Sequence, residues 1–333
     1  MRAVVWTGKG TLEIVDRPIP EPRPGWVRVK ISQVGICGSD LHFLDGGFPS
    51  PVGLVPGHEL GATIDAYGDS ADDGLLPVGT PVAVEPIVGC GRCGLCLVGE
   101  YNRCLERKIF GMNTRGGMAE FMTIPNDRVY ALPAGIEAGD GALVEPMAVC
   151  VRGVRFGGIG LGSRVAVLGT GSIGLVSILA ARAAGASEVA FTARHPAQRE
   201  LAIAFGARAL PDGATNDYDV VIETVGGRAD TLNQAVGLAR PGGTISVLGV
   251  FSGSVAIDGF AMGTKELRIV NANCYGRAHG GGSDFDVAMS LFRAHGDALR
   301  SLVTHRFSLD RANEALATAA DKATGSIKVI VEP

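Results

Sequence analysis

Val165-Ala166-Val167-Leu168-Gly169-Thr170-Gly171-Ser172-Ile173-Gly174 is the stretch that decides the fold. Four apolar residues run into G-x-G-x-x-G, and the Ala- and Leu-rich run Ile173–Ala184 follows with helical character. The glycine pattern alone is weak, but set between a strand and a helix it is a strong dinucleotide-binding signal. Gly169 permits the tight turn, Gly171 lets the backbone approach a pyrophosphate at the positive helix N-terminus, and Gly174 lets the helix pack on the strand. Thr170, Ser172 and Ile173 fill the intervening positions, so Gly169 to Gly174 are all assigned to cofactor binding. The competing reading is a strand–helix turn with incidental glycines.

Working outward, Glu188–Thr192 reads as the next strand and Pro196–Phe205 as the next helix. Asp219–Glu223, Thr231–Ala239 and Gly243–Leu248 continue as strand, helix and strand. Strands alternating with helices imply right-handed crossovers and a parallel sheet. The fold class is therefore α/β, a Rossmann-type doubly wound parallel sheet over residues 149–274. The end of the second strand selects the nicotinamide cofactor. An acid there would hold the adenosine ribose and repel a 2′-phosphate, but the chain reads Phe191-Thr192-Ala193-Arg194-His195. Ala193 stands in the acid's place, Arg194 follows, and Arg199 adds charge one helical turn on. This favours NADP(H) over NAD(H). The bland alternative is a set of solvated arginines.

Before this domain, residues 1–148 are mainly strand. Val27–Ile31, Ala62–Ala66, Pro81–Val84 and Ala119–Ile124 are short β-rich runs separated by Gly, Pro and Asp clusters. Arg17–Gly25 is proline-dense and extended, and the acidic stretch Gly68–Gly74 is a solvated loop. Within this region Cys90, Cys93, Cys96 and Cys104 have the spacing C-x2-C-x2-C-x7-C. Four thiolates on a glycine-punctuated loop make a closed, structural zinc site. An iron–sulfur cluster also takes four cysteines, but the last one here is too distant for the ferredoxin run and no proline follows it. Free thiols are the remaining alternative.

A second constellation follows the run Val27–Ile31. Gly35-Ile36-Cys37-Gly38-Ser39-Asp40-Leu41-His42 gathers a thiol, a hydroxyl, a carboxylate and an imidazole. Gly35 and Gly38 are read as permitting a tight turn. Pro56-Gly57-His58-Glu59 adds an imidazole and a carboxylate, and Val144-Glu145-Pro146 another carboxylate. Cys37, His58, Glu59 and Glu145 form a mixed sulfur, nitrogen and oxygen set that suits a zinc ion with an open position, the mark of a catalytic site. A lone cysteine near a histidine is more often a small buried hydrophobe, and only the other motifs raise this one above that.

Composition sets the outer bounds. The 333 residues suffice for two domains, and 46% hydrophobic content excludes a disordered chain. A net charge of -4 gives no basic nucleic-acid surface. No apolar run reaches membrane-spanning length, and Met1–Trp6 reads straight into a strand, so the expectation is a cytoplasmic protein with no membrane or nucleic-acid partner. Of seven cysteines, four fall within fifteen residues without a secretion signal, which argues for metal over disulfides. Residues 275–333 hold two expected helices, Asp284–Ala294 and Leu309–Ala320 with Ser308 as N-cap, and a final strand Ile327–Val331.

Together these motifs resemble the zinc-containing medium-chain alcohol and polyol dehydrogenases. The resemblance rests on Gly35–His42, Pro56–Glu59, Cys90–Cys104, Gly116–Glu120, Leu143–Pro146, Gly169–Gly174 and Gly325–Lys328, over nearly the whole chain. The set Cys37, His58, Glu59 and Glu145 looks most like the polyol and threonine dehydrogenase branch. The resemblance implies a partly open β-barrel (GroES-like) catalytic domain from residues 1–148, to which 275–333 return, with the nucleotide domain inserted and the active site in the cleft. It implies one catalytic and one structural zinc per chain. Cys37, His58 and Glu145 match the catalytic ligands, and Glu59 a residue that binds directly or in exchange. Asp40 matches a group orienting His58, Ser39 and His42 a proton relay, and Lys328 a cation on the cofactor phosphates. Homodimers or homotetramers are implied as well.

The implied chemistry is hydride transfer between NADP(H) and a secondary alcohol or polyol, or the matching ketone, with Ser39 and His42 moving the proton. The rivals are a zinc-independent NADPH quinone or enoyl reductase of the same fold, an NAD-dependent polyol or amino-alcohol dehydrogenase, a non-enzymatic zinc module, and a non-catalytic NADP sensor. Cys37 and Glu145 count against the first, and the full fingerprint against the module. The candidate specificity residues are Phe48, Met112, Asn113, Arg115, Tyr275 and the glycine-rich loop Gly276–Gly282.

Overall fold

The computed structural model describes residues 1–8, 10–44, 52–69, 74–277 and 282–333. Phe48, residues 70–73 of the acidic stretch and residues 278–281 of the glycine-rich loop lie outside the described residues. The chain forms two compact units, Met1–Glu145 with Leu299–Pro333, and Pro146–Ala298.

The second unit is built on six parallel strands in the spatial order Arg208–Ala209, Glu188–Phe191, Arg164–Leu168, Tyr218–Glu223, Ala239–Val247 and Arg268–Asn271. The first strand in sequence, Arg164–Leu168, is central, and the order reverses between it and Tyr218–Glu223. Dinucleotides bind outside the carboxyl ends of strands at such a reversal. The inner strands are buried on both faces and read as continuous apolar runs, with Ala166, Leu168, Val221 and Ile245 in the core. The helices Ser172–Ala183, Pro196–Ala204 and Thr231–Leu238 cross between strands. The sixth strand, Arg268–Asn271, is short, lies at the edge and is only partly buried. That explains why its sequence gave no strand signal.

The first unit is organised around one long strand, Trp26–Gly35. It pairs antiparallel with Glu59–Tyr67, Phe121–Pro125 and Lys328–Glu332. Val27, Val29 and Ile31 alternate inward, and two register shifts, at Arg28/Val29 and Ile31/Gln33, bend the strand as bulges do. With Pro81–Val84, Val129–Ala131 and Val303–Ser308 these strands form a seven-stranded, partly open barrel. The strand Val303–Ser308, which runs parallel to Lys328–Glu332, was not evident in the polar sequence Val-Thr-His-Arg-Phe-Ser. Three expectations need correcting. The helix from Asp284 continues to Arg300 across a break at His295 (φ -128°, ψ 21°). The helix expected from Leu309 begins as a 3-10 turn, Leu309–Arg311, and becomes α-helical over Ala312–Ala320. Ser308 precedes that turn, but its side chain makes no capping bond.

Candidate active site and metal centres

Strand register, not sequence proximity, brings the mixed-donor residues together. Gly35 pairs with Glu59 on one side and with Ile330 on the other. Cys37 follows two residues after Gly35, His58 immediately precedes Glu59, and Lys328 lies two residues before Ile330, so all four meet at one end of the hub strand. Gly35 is required there because a Cβ would strike the Glu59 carboxylate. Gly38 faces open space and simply heads the helix Gly38–Leu44, which carries Ser39, Asp40 and His42. Glu145 arrives on the first turn of the helix Val144–Gly157. That helix is placed by the 3-10 segment Ala138–Leu143, where Gly61 leaves room for the carbonyls of Ala138 and Gly139.

Asp40 is fully buried, accepts from the Cys37 backbone N–H at 2.9 Å and directs Oδ1 toward His58 Nδ1 at 3.7 Å. Those two facing atoms have no hydrogen-bond partner among the described residues. The other ring nitrogen, Nε2, lies 3.2 Å from Ser39 Oγ. Burial works against a charge on His58, but Asp40, the Cys37 thiol and Glu145 outweigh it and hold the imidazole well above its ordinary pKa. Burial likewise raises Asp40. A thiol, an imidazole and a carboxylate around a buried, anion-flanked ring are a donor set that fits zinc. His42 is half-buried on the same helix.

Glu59 and Lys328 differ from what the resemblance implies. Lys328, 2% exposed, donates to both Glu59 oxygens at 2.7 and 2.6 Å and to the Ile36 carbonyl at 3.2 Å. Burial disfavours its charge, yet Glu59, Cys37 and Glu145 keep its pKa raised. All three ammonium donors are thus engaged within the barrel unit, and contact with a cofactor phosphate would require their release. Glu59 is turned toward the ammonium, and neither these four residues nor Cys37, His58 and Glu145 alone bring their ligand atoms within 4.8 Å of one another.

The cysteine lobe behaves oppositely. Among the described residues, Cys90, Cys93, Cys96 and Cys104 are the one group of His, Cys, Asp or Glu whose ligand atoms all lie within 4.8 Å of one another. Cys90 and Cys96 sulfurs are 4.0 Å apart, near the edge of a tetrahedron of thiolates around zinc. The Arg92 and Cys93 backbone N–H groups pull the Cys90 thiol down to about 7, while burial pushes Cys96 up to about 12. The short antiparallel pair Ile87–Val88 and Lys108–Ile109 closes the lobe. Sequence reading missed its anchor. Glu85, fully buried, accepts from Tyr101 within the lobe, from Tyr130 at 2.7 Å and from Arg128 at 3.1 Å. An acid ending the apolar run Val82-Ala83-Val84 was the available signal.

In the second unit, Gly169 has φ +88° and lies against Val225, while a Cβ on Gly174 would strike the Gly169 carbonyl. Gly171 caps the helix that starts at Ser172, with open space at its Cα, so its backbone is accessible. Ile173 lies in that helix, and its carbonyl accepts from the Cys150 thiol at 3.4 Å. Thr170 is buried and turns its hydroxyl to the Thr192 carbonyl at 3.2 Å, so its side chain faces the protein. Thr192 also accepts from the Gly169 N–H at 3.0 Å, a tie the sequence did not reveal. A cavity of about 550 Å3 beside the second strand is lined by Thr192, Ala193, Arg199, Asp212, Gly213 and Gln234, among others. Arg194 is exposed and does not line it.

The candidate specificity residues scatter. Asn113 binds Ile109 N–H at 2.7 Å and the Arg107 carbonyl at 3.1 Å, holding its own turn. Met112 packs on the barrel core, Arg115 lines a cavity beside Trp26 and Phe110, and Tyr275 is buried edge-on to Phe285 at 5.5 Å.

Comparison with known proteins accords with this geometry. Residues 23–134 match the alcohol dehydrogenase GroES-like domain, and residues 172–294 the zinc-binding dehydrogenase domain. Sorbitol dehydrogenase of Macaca fascicularis is 32% identical over 95% of this chain and 92% of its own length. A structure described as a zinc-binding dehydrogenase from Sinorhizobium meliloti 1021, bound to NADP, superposes with a TM-score of 0.88 at 32% identity, covering 100% of this chain and 99% of its own. Galactitol-1-phosphate dehydrogenase from Escherichia coli gives 0.90 at 28% identity, covering 100% of both chains. No helix among the described residues is long and apolar enough to cross a membrane.

Proposed function

Because the chain belongs to the zinc-containing medium-chain alcohol dehydrogenase family and is an oxidoreductase of CH–OH groups, we propose that its substrate is a polyol or other secondary alcohol, or the matching ketone, and that NADP(H) is preferred over NAD(H). Cys37, His58 and Glu145 would hold a catalytic zinc, and Cys90, Cys93, Cys96 and Cys104 a structural one, two per chain. The catalytic ion supplies Lewis acidity toward the substrate oxygen, and the nicotinamide supplies or accepts the hydride. The protein's own part is to position groups and move a proton. Asp40 fixes the His58 ring, Ser39 Oγ takes the substrate hydroxyl proton, and His42 passes it outward. Glu59, neutralised by Lys328, shapes the field behind Cys37.

The observation that carries this reading is the buried His58, set between Asp40 at 3.7 Å and Ser39 at 3.2 Å, with Cys37 against its ring. Arg199 on the cavity wall, with the neutral Ala193, supports NADP(H). One observation favours NAD(H) as a second reading: Asp212 lines the same cavity and would repel a 2′-phosphate. The unit Pro146–Ala298 is read as the dinucleotide-binding domain, residues 275–298 grouping with it rather than with the barrel to which 275–333 were expected to return, and the remainder as the catalytic domain, in a homodimer or homotetramer of the cytoplasm. The test is a panel of polyols, secondary alcohols and ketones with both cofactors, read at the nicotinamide absorbance band. Polyol turnover with a lower KM for NADP supports the proposal. Equal turnover by the demetallated enzyme would overturn it.

A further inference from the structure

Glu223 is fully buried at the carboxyl edge of the parallel sheet, paired with Leu168 just before the fingerprint opens. Its carbonyl accepts from the Leu248 and Gly249 N–H groups at 2.8 and 3.1 Å. Its side-chain Oε1 accepts from the Val225 N–H at 2.8 Å, the Gly226 N–H at 2.9 Å and the Thr231 hydroxyl at 2.7 Å. Oε2 is buried without a hydrogen-bond partner and lies beneath Gly249, where a Cβ would strike it and come within 2.5 Å of the Gly226 nitrogen. Gly226 and Gly227 take φ +60° and +64°, and Gly227 N–H donates to the Val250 carbonyl at 2.8 Å. The carboxylate thus ties the turn 224–227 to the first turn of the helix Thr231–Leu238, and the turn 248–252 rests on that assembly through the Glu223 main-chain carbonyl and through Gly227, whose carbonyl accepts from the Ser252 N–H at 2.9 Å.

A buried acid is costly unless hydrogen bonds compensate it. Three donors on one oxygen do so, and they require an acceptor at that position. An amide would turn its NH2 either toward those donors or into the confined place of Oε2 beneath Gly249. The place of these turns gives them a use. The cavity beside Ala193, at the end of the strand Glu188–Phe191, suits the adenosine half of a dinucleotide, while Gly169–Gly174 suits the pyrophosphate. The other half then falls over the carboxyl ends of Tyr218–Glu223 and Ala239–Val247, across the reversal in strand order. We propose that Glu223 is a positioning residue for the nicotinamide half of the cofactor. It acts by fixing Val225 and Gly226, so that Gly227 can hold Val250 and Ser252 through main-chain bonds, and touches no ligand itself. This rests on the dinucleotide reading of the unit.

The test uses the zinc-loaded enzyme and its Glu223→Gln and Thr231→Val variants. Dissociation constants are measured for whichever of NADPH or NADH binds wild type more tightly, and for the matching adenosine fragment, 2′,5′-ADP or ADP. Glu223→Gln should weaken the dinucleotide about ten-fold, the effect of misplacing a hydrogen bond to a charged group, and leave the fragment unchanged. At saturating cofactor, kcat should stay within about two-fold while the cofactor KM rises, as loss of uniform binding requires. Thr231→Val, which removes one donor only, should act in the same direction by about three-fold, and it carries the test if Glu223→Gln does not fold. Equal weakening of fragment and dinucleotide, or no change in either, overturns the proposal. Wild type that binds neither dinucleotide overturns the reading of the unit as well.

Discussion

The two candidate metal loci of the barrel unit are opposites in construction. The cysteine lobe takes all its donors from fifteen consecutive residues, Cys90 to Cys104, and draws them within 4.8 Å of one another. The mixed-donor locus takes Cys37, His58 and Glu145 from three separate segments, and its side chains are engaged with neighbours: His58 with Asp40 and Ser39, Glu59 with Lys328. A site made from one loop is set by that loop. A site made from distant strands depends on supporting contacts, and those contacts leave room for chemistry.

The strongest way to break this contrast is to remove one thiol from each locus. Cys37→Ser should lower kcat/KM by more than about 100-fold, beyond the loss typical of an outer partner of a metal, with the melting midpoint little changed. Cys93→Ser should keep most activity per folded molecule and lower the midpoint by on the order of 5 °C, because metal binding in a closed loop is coupled to folding. Metal content should fall by one ion in each variant. If turnover and melting moved together in both, the division into catalytic and structural sites would be wrong.

The next effect concerns the supporting contacts. Lys328→Met leaves Glu59 buried and unpaired and should cost about 3–5 kcal/mol, whereas the double variant Glu59→Gln, Lys328→Met should recover most of it. Thermal melts of the four proteins give the cycle. A single variant that melts like wild type but binds cofactor weakly would restore the phosphate-contacting role for Lys328.

The same contrast governs what the sequence disclosed. The cysteine spacing and the glycine fingerprint are local, and both were legible because their chemistry needs particular residues at fixed intervals. Cys37, His58 and Glu145 were recognisable as residue types, but their meeting depends on Gly35 pairing with Glu59 and Ile330, a register no local pattern encodes. The Lys328–Glu59 pair spans 269 positions and was invisible for that reason. Glu85 and Glu223 each end an apolar strand run and could have been marked as buried acids, though not their partners. Val303–Ser308 went unread because its outward residues, Thr304, Arg306 and Ser308, dilute the apolar signal.

Cofactor choice is a third locus of the distant kind, and a smaller effect is expected. Replacing Arg199, which lines the cavity beside Ala193, with Ala should lower the NADP-to-NAD ratio of kcat/KM by about three- to ten-fold, the loss expected of one phosphate-pairing cation. Arg194→Asp with Ala193→Gly should push the ratio further the same way. An Asp212→Asn change should raise NADP use. If Asp212→Asn alone shifts the ratio while Arg199→Ala does not, the carboxylate rather than the arginine governs the choice.

The smallest effect tests how the cysteine lobe is tied to the sheet. Burial raises the Glu85 pKa above its ordinary value of 4.5, against the opposing pull of Arg128, Tyr101 and Tyr130. A carboxyl whose folded pKa is raised contributes stability that is complete below its unfolded pKa and is lost as pH rises through the folded one. Glu85→Gln fixes the uncharged state, so it does not share that loss. The difference in melting midpoint, variant minus wild type, should therefore become more favourable to the variant as pH climbs from about 4 through the raised pKa, and level off above it. Melts of metal-loaded protein across that range measure the slope. A difference that stayed flat, or that turned against the variant, would mean Arg128 and the two tyrosines fully compensate burial, and that the lobe is clamped by an ion pair of the ordinary kind.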